Sequence, residues 1–285
     1  MPEGDTVWRT CHRLDQVFRG ERLARAELRW GRLIDSDLVG LTTLEVVSRG
    51  KHILHRLEGD LTIHSHLKME GSWRIQSATE RVPQQDTVRA VLGTSAWTAL
   101  GRRLGQLDLV RTDDEASLIG HLGPDILGAD WDHGRALANL RAGRLGSTHD
   151  LIGASLLDQR NLAGIGTMWA SEGLWVERIS PWRPVAELSD AEVSALLDRI
   201  KRLMTQACAK LPGESYVHAR SGHPCRRCGQ TIRVALAGPA ERERTLFSCP
   251  QCQGGLAPTD DGRPQAPLSS GQPRSRTGYR RQRGR

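Results

Sequence analysis

The residues with the most chemical potential lie near the two ends of the chain. Met1 is followed by proline, a small second residue of the kind that methionine removal favours. Removal exposes Pro2 as a secondary amine. An α-amino group has a pKa near about 7.8 against about 10.4 for lysine, so its unprotonated fraction at neutral pH is about a hundredfold larger or more. Such an amine can attack a sugar aldehyde carbon and form an iminium. Glu3 can give or take a proton beside it. The plainer reading is that Pro2 only starts a helix, a position proline favours. At the other end, Cys225-x2-Cys228 and Cys249-x2-Cys252 are separated by 20 residues. Two such pairs at this spacing read as a tetrahedral four-thiolate zinc site. A closed site of this kind has no open coordination position, so its Zn2+ is structural. The competing reading is disulfides or unrelated thiols. Disulfides belong to oxidising compartments, and MPEGDTVWRT lacks the apolar stretch of a secretory signal. Lysine is a third marker. Of 40 basic residues only Lys51, Lys68, Lys201 and Lys210 are lysine. Codon bias in a GC-rich genome accounts for the arginine excess, and each lysine then stands where arginine is the default.

These groups need elements to position them. The chain has 285 residues, enough for one large or two ordinary domains and for a real core without disulfide staples. No run of 18 apolar residues exists, which excludes a transmembrane helix and leads us to expect a cytoplasmic protein. Net charge is +7, which permits an anionic partner. Residues 2–18 read as a helix with Val7, Cys11, Leu14 and Phe18 on one face. Residues 22–110 read as β-rich, with short runs separated by Arg49-Gly50 and Gly59-Asp60, the pattern of a sandwich or barrel. Helices follow over 151–160, 167–177 and 189–209. The last has a capping box, Ser189 and Glu192, and an apolar stripe that places Cys208, like Cys11, in the core. The finger segment carries Arg226, Arg227, Arg233, Arg242 and Arg244, each a phosphate ligand or an ordinary solvated charge. Residues 254–285 read as a disordered basic tail; from 253 onward there are seven arginines against two aspartates. Most of the net charge therefore sits in the tail, where it is expected to add salt-sensitive affinity for an anionic polymer.

Taken together and in order, six segments carry a resemblance. They are Met1-Pro2-Glu3-Gly4, Ser48-Arg49-Gly50-Lys51-His52, His64 to Ser72, Leu122-Gly123-Pro124-Asp125, Leu156 to Glu172 around Gly164-Ile165-Gly166, and Arg244 to Gln253. From Met1 to Cys252 the chain resembles the formamidopyrimidine-DNA glycosylase and endonuclease VIII family of base-excision repair enzymes. The resemblance implies an α+β fold of two domains. An N-terminal helix and β-sandwich (1–128) precede a linker (129–148), a helix-two-turn-helix domain (149–220), a zinc-finger β-hairpin (221–253) and the tail (254–285). It implies a monomer that acts on damaged double-stranded DNA, bending it and flipping out the damaged nucleotide.

By this likeness Pro2 is the nucleophile at C1′, and its Schiff base permits β- and then δ-elimination. Glu3 is the proton donor. Lys51 supports catalysis and contacts a phosphate, and Arg244 grips the phosphates flanking the lesion. Met69 fills the void left by the flipped base, or is a strand-end core residue. Thr167 opens a helix whose N-terminus suits a phosphate. The chain departs from the family at Thr6, where glutamate is usual, and at Thr167, where asparagine is usual. It has His218-Ala219-Arg220 for Tyr-Gly-Arg, and Arg103-Leu104 for an arginine–phenylalanine pair. Only residues 211–219 separate Lys210 from Arg220, too few for a long lesion-capping loop. The last two points favour the endonuclease VIII branch, whose substrates are mainly oxidised pyrimidines and abasic sites. The alternatives are an enzyme that is mainly an abasic-site lyase, and a zinc-containing DNA-binding protein without catalysis.

Overall fold

The computed structural model describes residues 2–145, 150–210, 213–240, 243–263 and 265. Helix α1 (Gly4–Phe18) leads into β1 (Arg25–Leu28), β2 (Thr43–Arg49), β3 (His52–Leu57), β4 (Leu61–His66), β5 (Ser72–Ser77), β6 (Val88–Gly93), β7 (Trp97–Arg102) and β8 (Gln106–Arg111). All pairings are antiparallel, in two four-stranded sheets of order β1-β6-β7-β5 and β2-β3-β4-β8. The two sheets share one core. Trp73 of β5 packs there with Ile53 and Ile63 of the other sheet, and its indole N–H donates to Ser65 Oγ of β4 at 3.1 Å. The face of α1 read from the sequence, Val7, Cys11, Leu14 and Phe18, is buried in the same core. Each large side chain there is worth about 1.5–3 kcal/mol of burial.

The rest of the chain is mostly helical: α2 (Ala116–Ile119), α3 (His133–Arg141), α4 (Ile152–Leu157), α5 (Thr167–Val176) and α6 (Asp190–Ala209). Helix α6 starts at the expected capping box, with both the Ser189 and the Glu192 side-chain bonds formed. Its stripe from Val193 to Ala207 packs on α5 in a second core. That stripe stops short of Cys208, which is partly exposed, so of Cys11 and Cys208 only Cys11 lies in a core. The segment 129–148 is more than a connection, because it contains α3. Asp132 caps that helix at the Arg135 N–H, and Ala136 and Leu140 bury themselves in the helical core. Helix α4 ends at Leu157, earlier than expected, because Asp158 turns extended and takes up the Arg160 guanidinium.

Strands β9 (Arg233–Ala237) and β10 (Arg244–Ser248) form the hairpin between the cysteine pairs, and α7 (Pro250–Gln253) closes it. The ordered region runs past 253. Asp260 pairs with Arg233 out of solvent, and Gln265 bonds both backbone groups of Val234. Residues 264 and 266–285 of the expected tail lie outside the described residues. Among the described residues no helix is long and apolar enough to cross a membrane.

Candidate active site at the junction of the two domains

Glu3 precedes α1 in extended conformation, so its carboxylate turns away from its own helix. It lies instead on the N-terminus of α5. Gly166 N–H donates to Oε2 at 2.9 Å, Met168 N–H to Oε1 at 2.7 Å and Trp169 N–H to Oε2 at 3.2 Å. These are unpaired first-turn donors of the helix, at the positive end of its dipole. The sequence assigned this helix end to a phosphate through Thr167. The structure fills it with Glu3, and Thr167 itself is buried. Gly166 is required by the close approach: a Cβ there would lie 2.4 Å from Glu3 Cδ. Burial raises the Glu3 pKa, opposed by Lys51 and by the donated N–H groups. Glu3 is thus a buried acid that holds its proton to higher pH than an ordinary glutamate. Pro2, half-buried, immediately precedes it.

Lys51 is carried to the same place by the β2–β3 hairpin. Gly50 sits at φ +59°, in the left-handed region, and a Cβ on it would be 2.9 Å from Ala163 Cβ. Its N–H donates to Asp125 Oδ2 at 2.7 Å, and Arg49 pairs with Asp130 at 2.8 Å. The hairpin tip is therefore docked on the loop that leads into α5. Burial lowers the Lys51 pKa, Glu3 raises it and Arg244 lowers it again, so the three groups share one electrostatic environment. Lys51 of the β2–β3 turn is thus coupled both to Glu3, just before α1, and to Arg244, the first residue of β10.

Arg244 stands apart from the other finger arginines. Arg233 is buried against Asp260, Arg227 lies 3.9 Å over the Trp175 ring and Arg226 pairs with Glu214. Arg242 lies outside the described residues. Arg244 is exposed and bonds only the neighbouring Glu243 carbonyl among the described residues. Its strand is fixed to α5 by Phe247 N–H donating to Ser171 Oγ at 3.1 Å. Met69 is 64% exposed in the β4–β5 loop, which removes the core reading. The Arg103-Leu104 pair is split: Leu104 is buried in the sandwich, while Arg103 stays exposed beside Glu70 at 3.3 Å. Ala219 holds φ +59° where the family has glycine, a strained conformation for alanine. Lys201 is structural, donating to the Ile126 carbonyl at 2.8 Å.

Several supporting residues escaped the sequence reading. Asp125, 2% exposed, holds the Lys51 hairpin, although its motif marks only the end of the sandwich in the sequence. Asp5 accepts the Trp169 indole N–H at 2.8 Å and pairs with Arg9 at 2.9 Å, supplying a buried acid behind Glu3, while Thr6 turns to Arg9. Glu172 accepts three backbone N–H groups, from Tyr216, Val217 and His218, at 2.8–2.9 Å. The start of α5 thus receives the Glu3 carboxylate, and its middle sends the Glu172 carboxylate out to residues 216–218. No spacing rule signals contacts of this range.

The four finger cysteines converge, with all Sγ atoms within 4.8 Å of one another. Cys225 and Cys252 are 4.0 Å apart, and Cys228 and Cys249 3.4 Å. Four sulfurs about 2.3 Å from one zinc are about 3.8 Å apart, so the donor set fits. Trp175 indole N–H and Arg227 N–H both approach Cys225 Sγ at 3.4 Å, as thiolate acceptance requires.

Comparison with known proteins agrees with this fold. Residues 1–107 match the formamidopyrimidine-DNA glycosylase N-terminal domain, and residues 123–216 match the formamidopyrimidine-DNA glycosylase H2TH domain. The chain is 44% identical to a probable endonuclease 8 2 of Streptomyces coelicolor, over 92% of this chain and 98% of that protein. It is 38% identical to the DNA-(apurinic or apyrimidinic site) lyase Nei2 of Mycolicibacterium smegmatis, over 89% and 99%. Its fold matches Lactococcus lactis formamidopyrimidine-DNA glycosylase bound to DNA with an abasic site, at TM-score 0.75 and 23% identity over 89% and 100% of the two chains. The chain belongs to the formamidopyrimidine-DNA glycosylase and endonuclease VIII family.

Proposed function

We propose that the protein is a bifunctional DNA glycosylase and abasic-site lyase of base-excision repair, acting on oxidised bases, chiefly pyrimidines, in double-stranded DNA. The observation that carries this reading is the buried Glu3 beside Pro2, its pKa raised by burial, with Lys51 electrostatically coupled both to Glu3 and to Arg244. After removal of Met1, the Pro2 nitrogen attacks C1′ of the deoxyribose and displaces the damaged base. Glu3 gives its proton to the ring oxygen O4′, opening the sugar to an iminium on Pro2. Loss of a C2′ proton then expels the 3′ phosphate, and a second elimination expels the 5′ phosphate. In this reading Lys51 and Arg244 hold the phosphates flanking the flipped nucleotide, and the exposed Met69 fills its place in the stack.

Cys225, Cys228, Cys249 and Cys252 would hold one structural Zn2+, whose bonds would fix the hairpin that carries Arg244. The protein is expected to work as a monomer in the cytoplasm.

A second reading is favoured by one relative: the 38% identical Mycolicibacterium protein is named an abasic-site lyase. The same amine would serve an enzyme that mainly processes abasic sites. Borohydride trapping on abasic-site DNA tests both readings. A covalent adduct that peptide mass analysis maps to the Pro2 nitrogen is expected; no adduct from correctly processed protein would sink them. Incision of a panel of oxidised-base duplexes then separates glycosylase from lyase.

A further inference from the structure

A second connected set of titratable side chains lies beside the site. His64 of β4 is buried completely between Asp108 of β8 and His52 of β3. Its Nδ1 is 2.8 Å from Asp108 Oδ2, and its Nε2 is 2.8 Å from His52 Nδ1. Gln106 donates to the same Asp108 oxygen at 3.1 Å. A carboxylate only accepts, so His64 Nδ1 carries the proton. Neutral His64 then has a bare Nε2, and His52 Nδ1 donates to it. That leaves His52 Nε2 as a bare lone pair with no partner among the described residues. His66 is fixed in the opposite sense, because Lys68 N–H donates to its Nδ1 at 2.9 Å and the proton must sit on Nε2.

The His52 ring, directly after Lys51 in the chain, meets the His66 ring edge to face at 4.8 Å. The groups facing His52 are almost all cationic or able to become so. Lys51 comes from the hairpin, His64 and His66 from β4, Lys68 from the loop after β4, and His121 from the segment after α2, its ring 6.4 Å away. Asp108 is the carboxylate of the chain, one imidazole removed, with Glu115 behind His64. Burial, then His66, His64, His121 and Lys68, push the His52 pKa down to about 3. In the free protein His52 is therefore neutral.

We propose that His52 is a proton-linked contact for the DNA backbone, taking up one proton at Nε2 as a phosphate closes over the Lys51 hairpin. This rests on the reading that DNA crosses that hairpin. The proton comes from solvent and forms an N–H bond that the phosphate oxygen accepts. Within the relay no bond breaks. His52 Nδ1–H and His64 Nδ1–H stay in place, and ionised Asp108 faces the new imidazolium through His64. The phosphate also offsets the cations that kept His52 neutral. A unit charge about 4 Å away in a partly buried site changes proton affinity about a thousandfold. For His52, that brings uptake into reach as pH falls toward about 6.

Calorimetric titration of the zinc-loaded full chain with a duplex containing a tetrahydrofuran abasic analogue tests this. Two buffers of different ionisation heat, at pH 6 and pH 8, give the protons taken up per duplex. Wild type should take up more at pH 6 than at pH 8. His52→Gln should take up about half a proton less at pH 6 while still binding. Asp108→Asn keeps an acceptor for His64 but removes the charge, and should fall between the two. A merely structural role for His52 or Asp108 would not change the proton count. No uptake by wild type, or equal uptake by His52→Gln, would overturn the proposal. Undiminished affinity in Lys51→Ala would sink the reading that DNA crosses the hairpin and this proposal with it; binding without proton uptake would sink this proposal alone.

Discussion

Glu3 shows how one side chain acquires its chemistry from a distant helix. Its three backbone donors come from residues more than 160 positions away, yet burial outweighs them and raises its pKa. The sign has two consequences. The acid form persists above the ordinary glutamate value of 4.5, so kcat/KM for base removal should fall as pH rises through the raised value. The same shift adds stability below pH 4.5 and loses it as pH rises through the folded value. Urea unfolding across pH should show wild type losing stability relative to Glu3→Gln in that window, and base-release kinetics should drop about a hundredfold in the variant. A constant difference between the two proteins at all pH values would refute the shift. Gly166→Ala makes a sharper test, because its Cβ would sit 2.4 Å from Glu3 Cδ. It should displace the carboxylate and cut single-turnover base release more than about tenfold, with affinity for abasic-analogue DNA kept.

At the scale of elements, α5 organises the site. Glu3 is fixed at its first turn, Ser171 in its middle anchors β10, and Glu172 fixes residues 216–218. Because β10 is anchored, Arg244 and Arg233 make a useful contrast on one hairpin. Arg244→Ala removes an exposed charge. It should leave the melting temperature unchanged and reduce the salt dependence of DNA binding by about 0.9 in log–log slope, the value of one phosphate contact. Arg233→Ala leaves Asp260 buried without its partner, and should destabilise the finger by about 3 kcal/mol by thermal or urea unfolding. The reverse pattern would show that the two arginines have been assigned wrongly.

At the scale of the whole molecule, two cores and a small finger meet at one seam. Among the described residues the finger's own buried core is Trp175, Val217, Cys225, Ile232, Phe247 and Cys249, and two of those are cysteines of the cluster. A core that small depends on its metal. Metal analysis should find one zinc per chain. Chelation should change the fluorescence of Trp175, whose indole N–H bonds Cys225, and abolish DNA binding while the sandwich stays folded by circular dichroism. Retained affinity after zinc loss would refute the dependence of Arg244 on the finger.

Much of this was written locally. The α1 stripe, the Ser189–Glu192 capping box, the alternating strands and the paired cysteines are short-range patterns, and short-range patterns follow from helix and strand periods and metal-ligand reach. Through the family resemblance, their order along the chain also leads one to expect Pro2, Glu3, Lys51 and Arg244 to act as one set. Tertiary structure decided what lies between elements. It put Glu3 on the helix end expected to take a phosphate, assigned Arg233 to Asp260 and left Arg244 open, exposed Met69, and buried Leu104. It also joined Asp108, His64 and His52 across three strands. Such choices depend on which buried polar group finds which partner across tens to hundreds of residues. That is settled by the cost of leaving any of them unpaired in the packed whole, and no window of sequence contains it.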